Sequence, residues 1–353
     1  MKDRIMVIGG YGEVGRQVAI KLCSDGLNVI IAGRNEKEAK ALIQSEKLTC
    51  SFRRVDVSRL GKEDFGNIHT VVMCLEKNNI GVLDECIKRK INYIDVTPSY
   101  TIIQEIEQRR KEIMEASIRV GVGIGIAPGI SNVLAENLLS EWNEIREINT
   151  YLMLGLGEHH GKNAISWFVN NLNRTYDVGR GQSKWVRSFT EPRKRKLIGE
   201  TKARSFVRID LADWHLLSHK YPNVKVNSWF AYDVDSMTKS VTLANQMGLF
   251  YCLKFERVKR RYEQLLNALL KLGRKIGIGT DRYAVMVEAI GVHNSKPIKE
   301  IRMIEGRCNS KITGEVCALC TKHLQDKQPG IYDMSDLVTL KELEGYQIKH
   351  SRY

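Results

Sequence analysis

A short apolar run, Arg4-Ile5-Met6-Val7-Ile8, leads straight into Gly9-Gly10-Tyr11-Gly12-Glu13-Val14-Gly15, and this junction constrains the fold more than any other stretch. An amphipathic helical pattern follows. A second apolar run, Asn28-Val29-Ile30-Ile31-Ala32, then ends on Gly33-Arg34-Asn35. Strand, glycine turn, helix and strand in that order make a dinucleotide-binding unit, the context in which a G-x-G-x-x-G pattern carries weight. Gly10 is expected to make the tight turn, Gly12 to let the backbone approach a pyrophosphate, and Gly15 to let the helix pack close on the sheet. The pyrophosphate would sit on the free amides and positive dipole end of the helix starting near Glu13. Tyr11, Glu13 and Val14 therefore join the three glycines as cofactor-contact candidates. A tight turn that only packs a helix on a strand is the alternative reading.

The end of the second strand bears on which dinucleotide. An NAD site usually places Asp or Glu there for the adenine-ribose hydroxyls, whereas an NADP site tends to place a small residue and then Arg for the 2′-phosphate. This chain has Gly33, Arg34 and Asn35, with no acid until Glu36. A guanidinium presents a planar fork of donors to a phosphate, and a carboxylate would repel it. NADP is the reading, with Arg34 and Asn35 as its contacts; a solvated surface arginine is the alternative.

At 353 residues the chain suggests about two domains. Its 43% hydrophobic and 7% aromatic content is ordinary for a globular protein with a buried core. No run approaches the ~18 apolar residues of a membrane span, and a strand beginning at Arg4 leaves no room for a signal peptide. A cytoplasmic location follows as an expectation, with the eight cysteines as reduced thiols. The formal net charge of +14 raises the question of nucleic acid. Basic residues cluster at Arg193-Lys194-Arg195-Lys196, read as a solvated loop or hairpin tip, and at Arg257, Lys259, Arg260 and Arg261. The second cluster lies on a helical pattern over residues 253–272 whose other face carries Leu265, Leu266, Leu269 and Leu270. Neither cluster is interleaved with aromatics as single-strand binding favours, so no nucleic-acid partner and no membrane partner are expected. A positive field suits anionic cofactors and carboxylate substrates.

Strand and helix signals alternate through the first third. Strands are expected at residues 52–57, 70–75, 92–96 and 119–126, with helices near 37–46, 80–90 and 102–118. This alternation argues for a doubly wound parallel sheet, on which ligands bind at the carboxyl ends of the strands. Those ends add Asp56, Val57, Cys74, Asp95 and Thr97 to the cofactor-contact candidates, with Leu75, Glu76 and Ala127-Pro128-Gly129 beside them. Along 119–126, Gly121, Gly123 and Gly125 share one face, which a ligand or a neighbouring helix would approach closely. Ser131 or Asn132 could cap a helix whose N-terminus receives a carboxylate.

From about Asn149 the pattern changes. Strands at 151–154, 205–208, 224–232, 282–292 and 298–308 suggest a mixed or antiparallel sheet, and Thr313 reads as the N-cap of a helix over 314–324. The expected fold is α/β: a Rossmann-type doubly wound parallel sheet over residues 1–130, then a second α+β domain with a mixed or antiparallel sheet over 131–325. A tail, 326–353, is expected to pack back towards the first domain. An uncovered face of the second sheet would suit a homodimer.

Several constellations carry chemistry less clearly. Tyr221 and Lys225 have the spacing of short-chain dehydrogenases, but Pro222 is poor inside a helix. Cys317-x-x-Cys320 with His323 lacks the second pair of a zinc site and reads as buried thiols, so no metal is expected. His159 and His160 sit in a glycine-flanked loop. In Asp213-Trp214-His215 an acid two residues from a histidine suits acid–base work. Asp213, His215 and His159 are the catalytic candidates.

The pattern as a whole resembles the saccharopine dehydrogenase-like family of NADP-linked oxidoreductases. The pieces that carry the resemblance are Gly9 to Gly15, Ala32-Gly33-Arg34-Asn35, Val55-Asp56-Val57, Asn92 to Val96, Gly125 to Asn132 and, late in the chain, Thr313 to Ala318. It is good over residues 1–140 and loose afterwards. The resemblance implies hydride transfer between a nicotinamide and a carbon–nitrogen bond of a small carboxylate-bearing metabolite. Some relatives reduce carbon–carbon double bonds instead, and a non-catalytic NADP-binding regulatory subunit is the third reading. It also implies that the Thr313-Gly314 helix returns towards the cofactor domain, and that Asp95 and Thr97 line the nicotinamide end.

Overall fold

The computed structural model describes residues 4–142, 144–159, 161–179 and 183–353. Its chain divides into two compact units, Met1–Ile130 with Ser310–Thr339, and Ser131–Asn309 with Leu340–Tyr353.

In the first unit, β1 (Arg4–Ile8), β2 (Asn28–Gly33), β3 (Ser51–Arg54), β4 (Thr70–Met73), β5 (Asn92–Asp95) and β6 (Arg119–Val122) form one sheet. Their order is β3-β2-β1-β4-β5-β6, and a seventh strand, Gly330–Asp333, lies beyond β6. Every pairing is parallel. This is the Rossmann-type doubly wound order, whose strand sequence reverses between β1 and β4. Strands covered on both faces must be apolar throughout, and Ile5 to Ile8 and Val71 to Met73 are buried accordingly. The helix Glu13–Ser24 turns Gly15, Val18, Ala19 and Leu22 inward at helical spacing. Asn35 caps the helix Glu36–Ser45, its side chain accepting from the Glu38 amide.

Two expectations are corrected here. Strand β6 stops at Val122 instead of running to 126, because Gly123 takes a left-handed φ of 62°. A Cβ on Gly121 would meet Ile124, Ile94 and Leu337, so protein fills the bare glycine face at that point. The late helix runs Asn309–Leu324 and so begins a turn before Thr313. Cys308, at φ 64°, ends the preceding strand, and Asn309 donates from its backbone and its side chain to the Glu158 carboxylate.

The chain passes between the units after Ile130, Asn309 and Thr339. Residues 310–325 pack in the first unit, where the helix crosses Glu13–Ser24 backbone to backbone. A Cβ on Gly314 would lie 2.4 Å from the Gln17 Cβ and 2.8 Å from its carbonyl carbon. The tail divides: Gly330–Asp333 extends the first sheet and Lys349–Arg352 edges the second.

The second unit holds a mixed seven-stranded sheet in the order Thr190–Arg195, Arg204–Arg208, Lys225–Tyr232, Glu144–Leu154, Arg282–His293, Lys296–Arg307, Lys349–Arg352. Lys225–Tyr232 and Glu144–Leu154 pair in parallel, and the other pairs are antiparallel. Tyr151, Phe206, Trp229, Met286 and Met303 form one apolar face. Their alternating neighbours, Thr150 and Ser228, face the helix Ala212–Lys220 through Asp213. The Arg193 to Lys196 cluster is not a solvated loop. Arg193 and Arg195 leave an edge strand and lie over the apolar face, Arg193 5.3 Å from the Trp229 ring and Arg195 3.2 Å from the buried Glu288 carboxylate.

Candidate functional site

The glycine turn is built as a cradle. Gly9, at φ 77°, makes the left-handed turn expected of Gly10, and the Gly12 amide closes it onto the Gly9 carbonyl at 2.8 Å. Gly10 is required for a different reason: its Cβ would meet the Val7 carbonyl at 2.9 Å and Ile31 at 3.2 Å. At Gly15 a Cβ would lie 2.2 Å from the Gly9 carbonyl oxygen, so the helix approaches the turn more closely than any side chain permits. Gly12 is extended and exposed at the helix N-cap, and no side chain caps the helix. First-turn amides left this way suit an anion.

Tyr11 and Gly33 form a pair that the sequence reading did not join. The Tyr11 hydroxyl accepts from the backbone amides of Arg34 at 2.9 Å and Asn35 at 3.0 Å. A Cβ on Gly33 would fall 2.5 Å from the Tyr11 ring. The tyrosine therefore ties the turn after β1 to the end of β2. The signal was present, since a bulky residue inside a glycine loop needs a bare backbone to lie on. Arg34 is exposed at that end. Asp56, after β3, is held below the usual carboxylate range by the Ser58 amide, with Arg34 and Lys77 adding their charge. Val57 is buried, and its carbonyl accepts from Asn78. Glu13 and Val14 are half-buried in the helix's first turn.

Ile8 of β1, Met73 of β4 and Asp95 of β5 stand in register, so the segments after them share the carboxyl edge of the sheet. Asp95 is fully buried there. It accepts from the Tyr93 hydroxyl at 2.6 Å, Asn79 Nδ2 at 2.8 Å and the Thr97 amide at 2.8 Å. Burial raises its pKa against those hydrogen bonds. Asp95 is turned inward and positions Thr97. Thr97, itself buried, donates to Glu76 at 3.3 Å. Glu76 is half-buried, and desolvation, with Asp95 adding to it, raises its carboxyl pKa although the Thr97 bond opposes this. The sequence placed Glu76 at this edge as a strand-end neighbour, and the structure adds its bond to Thr97. The Cys74 thiol is pushed well above its ordinary value by desolvation and by nearby Cys317 and Asp95.

In the second unit the acid–histidine pairing is real but has a different acid. Asp213 is fully buried and accepts from Ser228 at 2.7 Å, Thr150 at 2.8 Å and the Trp214 amide at 2.7 Å. It anchors the helix Ala212–Lys220 to the sheet. His215 pairs with Asp210, whose Oδ1 lies 2.7 Å from Nε2. Asp210 Oδ1 also accepts from Trp214 Nε1 at 3.0 Å, and Oδ2 pairs with Arg174 Nε at 2.6 Å. Burial raises the Asp210 pKa, but the bond and charge of His215, with Arg174, hold it below the ordinary value. Asp210 escaped the sequence reading because the chain turns at Leu211, the helix N-cap, and brings position 210 beside 215. His159 is exposed in the turn after Glu144–Leu154; His160 lies outside the described residues.

Asp213 gives a pH prediction. Its folded pKa lies above 3.8, with burial as the main cause. The contribution to stability is therefore fully present below 3.8 and is lost as pH rises through the folded value. Asp213→Asn keeps the shape without the charge. The melting temperature of the native chain minus that of Asp213→Asn is expected to fall as pH rises above about 4 and then to level off; a flat difference would contradict the account.

Cys317 and Cys320 are fully buried on the late helix. Among the described residues no group of three or more His, Cys, Asp or Glu side chains is arranged to hold a metal. Among the same residues no helix is long and apolar enough to cross a membrane.

Residues 5–120 match the family model of the saccharopine dehydrogenase NADP binding domain. No curated protein matches the sequence. Among solved structures, apo histidine-tagged saccharopine dehydrogenase (L-Glu forming) from Saccharomyces cerevisiae has a TM-score of 0.69 at 15% identity, covering 99% of this chain and 100% of that one. At that identity the likeness shows the fold. DAP dehydrogenase of C. glutamicum, in complex with DAP, is 14% identical over 98% of this chain and 99% of its own; at a TM-score of 0.47 this carries no argument. Residues 5–120, with their uncapped glycine turn and Arg34, are thus a NADP-binding domain of the saccharopine dehydrogenase type.

Proposed function

We propose that this protein is an NADP(H)-dependent oxidoreductase acting on the carbon–nitrogen bond of a small metabolite that bears a carboxylate. When bound, the cofactor supplies or accepts the hydride. The first-turn amides after Gly12 hold its pyrophosphate, and Arg34 holds the 2′-phosphate.

The observation that carries the reading is the Asp210–His215 pair, at 2.7 Å. A buried carboxylate on Nε2 fixes the imidazole's orientation. His215 then gives a proton to the substrate nitrogen during reduction and takes it back during oxidation. Arg174 and Trp214 hold Asp210 in place for that task.

The test is to incubate the protein with NADPH and pairs of an amine donor and a 2-oxo acid, following NADPH by absorbance. Turnover with at least one pair is expected. Turnover only with an enoyl substrate, or NADPH binding with no turnover on any pair, would contradict the proposal.

A further inference from the structure

The helix Glu256–Lys275 is the longest in the second unit, and none of its residues is buried. Its inner side is half-buried: Tyr262, Glu263, Leu266 and Leu270 recur at helical spacing, and Glu263 accepts from Ser166 at 2.9 Å. A second side is apolar and bare. Leu265, Leu269, Leu272 and Ile276 each expose more than half of their surface, with Val258 on the same line. At 1.5 Å per residue, Val258 to Ile276 makes a stripe about 27 Å long. Exposed apolar residues also precede the helix, Leu249 and Tyr251 in the turn Leu249–Lys254 and Phe255 at the helix N-cap. A contiguous apolar surface of this kind marks a contact site.

The third side identifies what covers it. On a wheel of 100° per residue, Arg257, Arg260, Arg261, Lys271 and Lys275 fall together beside the stripe and are exposed. Lys254 lies over the Tyr251 and Phe255 rings, 4.0 Å and 5.1 Å from their centroids, at the stripe's start. Within the helix no acidic residue lies among these cations; Glu256, exposed at the helix start, pairs with Lys259. A second copy of the chain is disfavoured by this arrangement. In an antiparallel helix pair like flanks meet, so the cations would face their own copies. In a parallel pair the cationic flank would meet the side of the partner helix that is already packed into its own unit.

We infer that this helix docks on an anionic lipid surface. It lies in the plane of the interface, with the leucine stripe among the acyl chains and the cationic flank against the headgroups. The surface departs from the expectation that the chain has no membrane partner, and it requires no spanning segment. The sequence showed the cations and the leucines together, but only the structure shows that Leu265 and Leu269 stay outside while Leu266 and Leu270 turn in.

The experiment is flotation of the full chain with vesicles of phosphatidylcholine, alone or containing about 30% phosphatidylglycerol. Binding to the anionic vesicles is expected, with about tenfold less on neutral ones and release by about 0.5 M NaCl. The double variant Leu265→Glu/Leu269→Glu alters only exposed positions and is expected to lose binding while keeping its melting temperature and NADPH affinity. Arg257→Glu/Arg260→Glu is expected to lose it as well. Failure to float with anionic vesicles, or equal binding to neutral ones, would overturn the inference. So would a dimer in sedimentation velocity that the leucine variant splits, since a second copy would then cover the stripe.

Discussion

Gly15→Ala is expected to abolish useful binding of NADPH and to destabilise the first unit. The added methyl carbon would sit 2.2 Å from the Gly9 carbonyl oxygen and 2.8–2.9 Å from the Gly9 carbonyl carbon and Gly10 Cα. All three are backbone atoms of the turn, so no side chain can move aside. The helix must withdraw or the turn must open. Overpacking of this kind costs about 1–3 kcal/mol, and it falls where the first-turn amides have to point at the pyrophosphate. A displaced helix N-terminus loses the alignment that makes it an anion site. We expect NADPH affinity to drop by about tenfold or more, each factor of ten being ~1.4 kcal/mol, with a clearly lower melting temperature. Unchanged affinity in Gly15→Ala would mean that the pyrophosphate does not sit on this turn.

The second large effect is expected at the Asp210–His215 pair. His215→Ala removes the proton-holding ring, and loss of a positioned acid–base group slows turnover by about 10²-fold or more. Asp210→Asn keeps the volume and removes the carboxylate that orients the imidazole, so it should slow turnover too. The Asn variant should also show a shifted pH–rate profile, which a purely structural role for Asp210 would not produce. Neither residue belongs to the cofactor domain, so NADPH affinity should stay at the native value in both. Unchanged turnover in His215→Ala would remove this histidine from the mechanism.

The cofactor side was legible in the sequence because it depends on local geometry. Glycines that let backbones touch, and an arginine at a strand end, act within a few residues of where they are read. Even there the turn was placed one residue late, since Gly9 and Gly10 are alike in sequence and only backbone dihedrals separate the left-handed residue from the crowded one. The second unit was harder to read. Asp213 lies two residues from His215, which suggested a pair, yet on a helix residues two apart point to different sides. Asp213 therefore faces Thr150 and Ser228, brought near by strands more than sixty residues away on one side and fifteen on the other. Asp95 misled in a similar way. It ends a strand at the ligand edge, but Tyr93 and Asn79 supply donors from behind and turn it inward. The return of residues 310–325 was suggested only by the family resemblance, because nothing local in Thr313-Gly314 names Gln17 as the partner.

The central claim is that the first unit holds NADP(H) and that Arg34 selects it. Titrating the native protein and Arg34→Ala with NADPH and NADH, by calorimetry or nicotinamide fluorescence, tests this directly. Arg34 is exposed and takes no part in the core, so the variant should fold normally. A charge-assisted hydrogen bond contributes about 1.5–3 kcal/mol, so native protein should bind NADPH about tenfold to a hundredfold more tightly than NADH. In Arg34→Ala the two affinities should converge, with NADH binding unchanged. Equal affinities in the native protein, or a preference that survives loss of Arg34, would contradict the account.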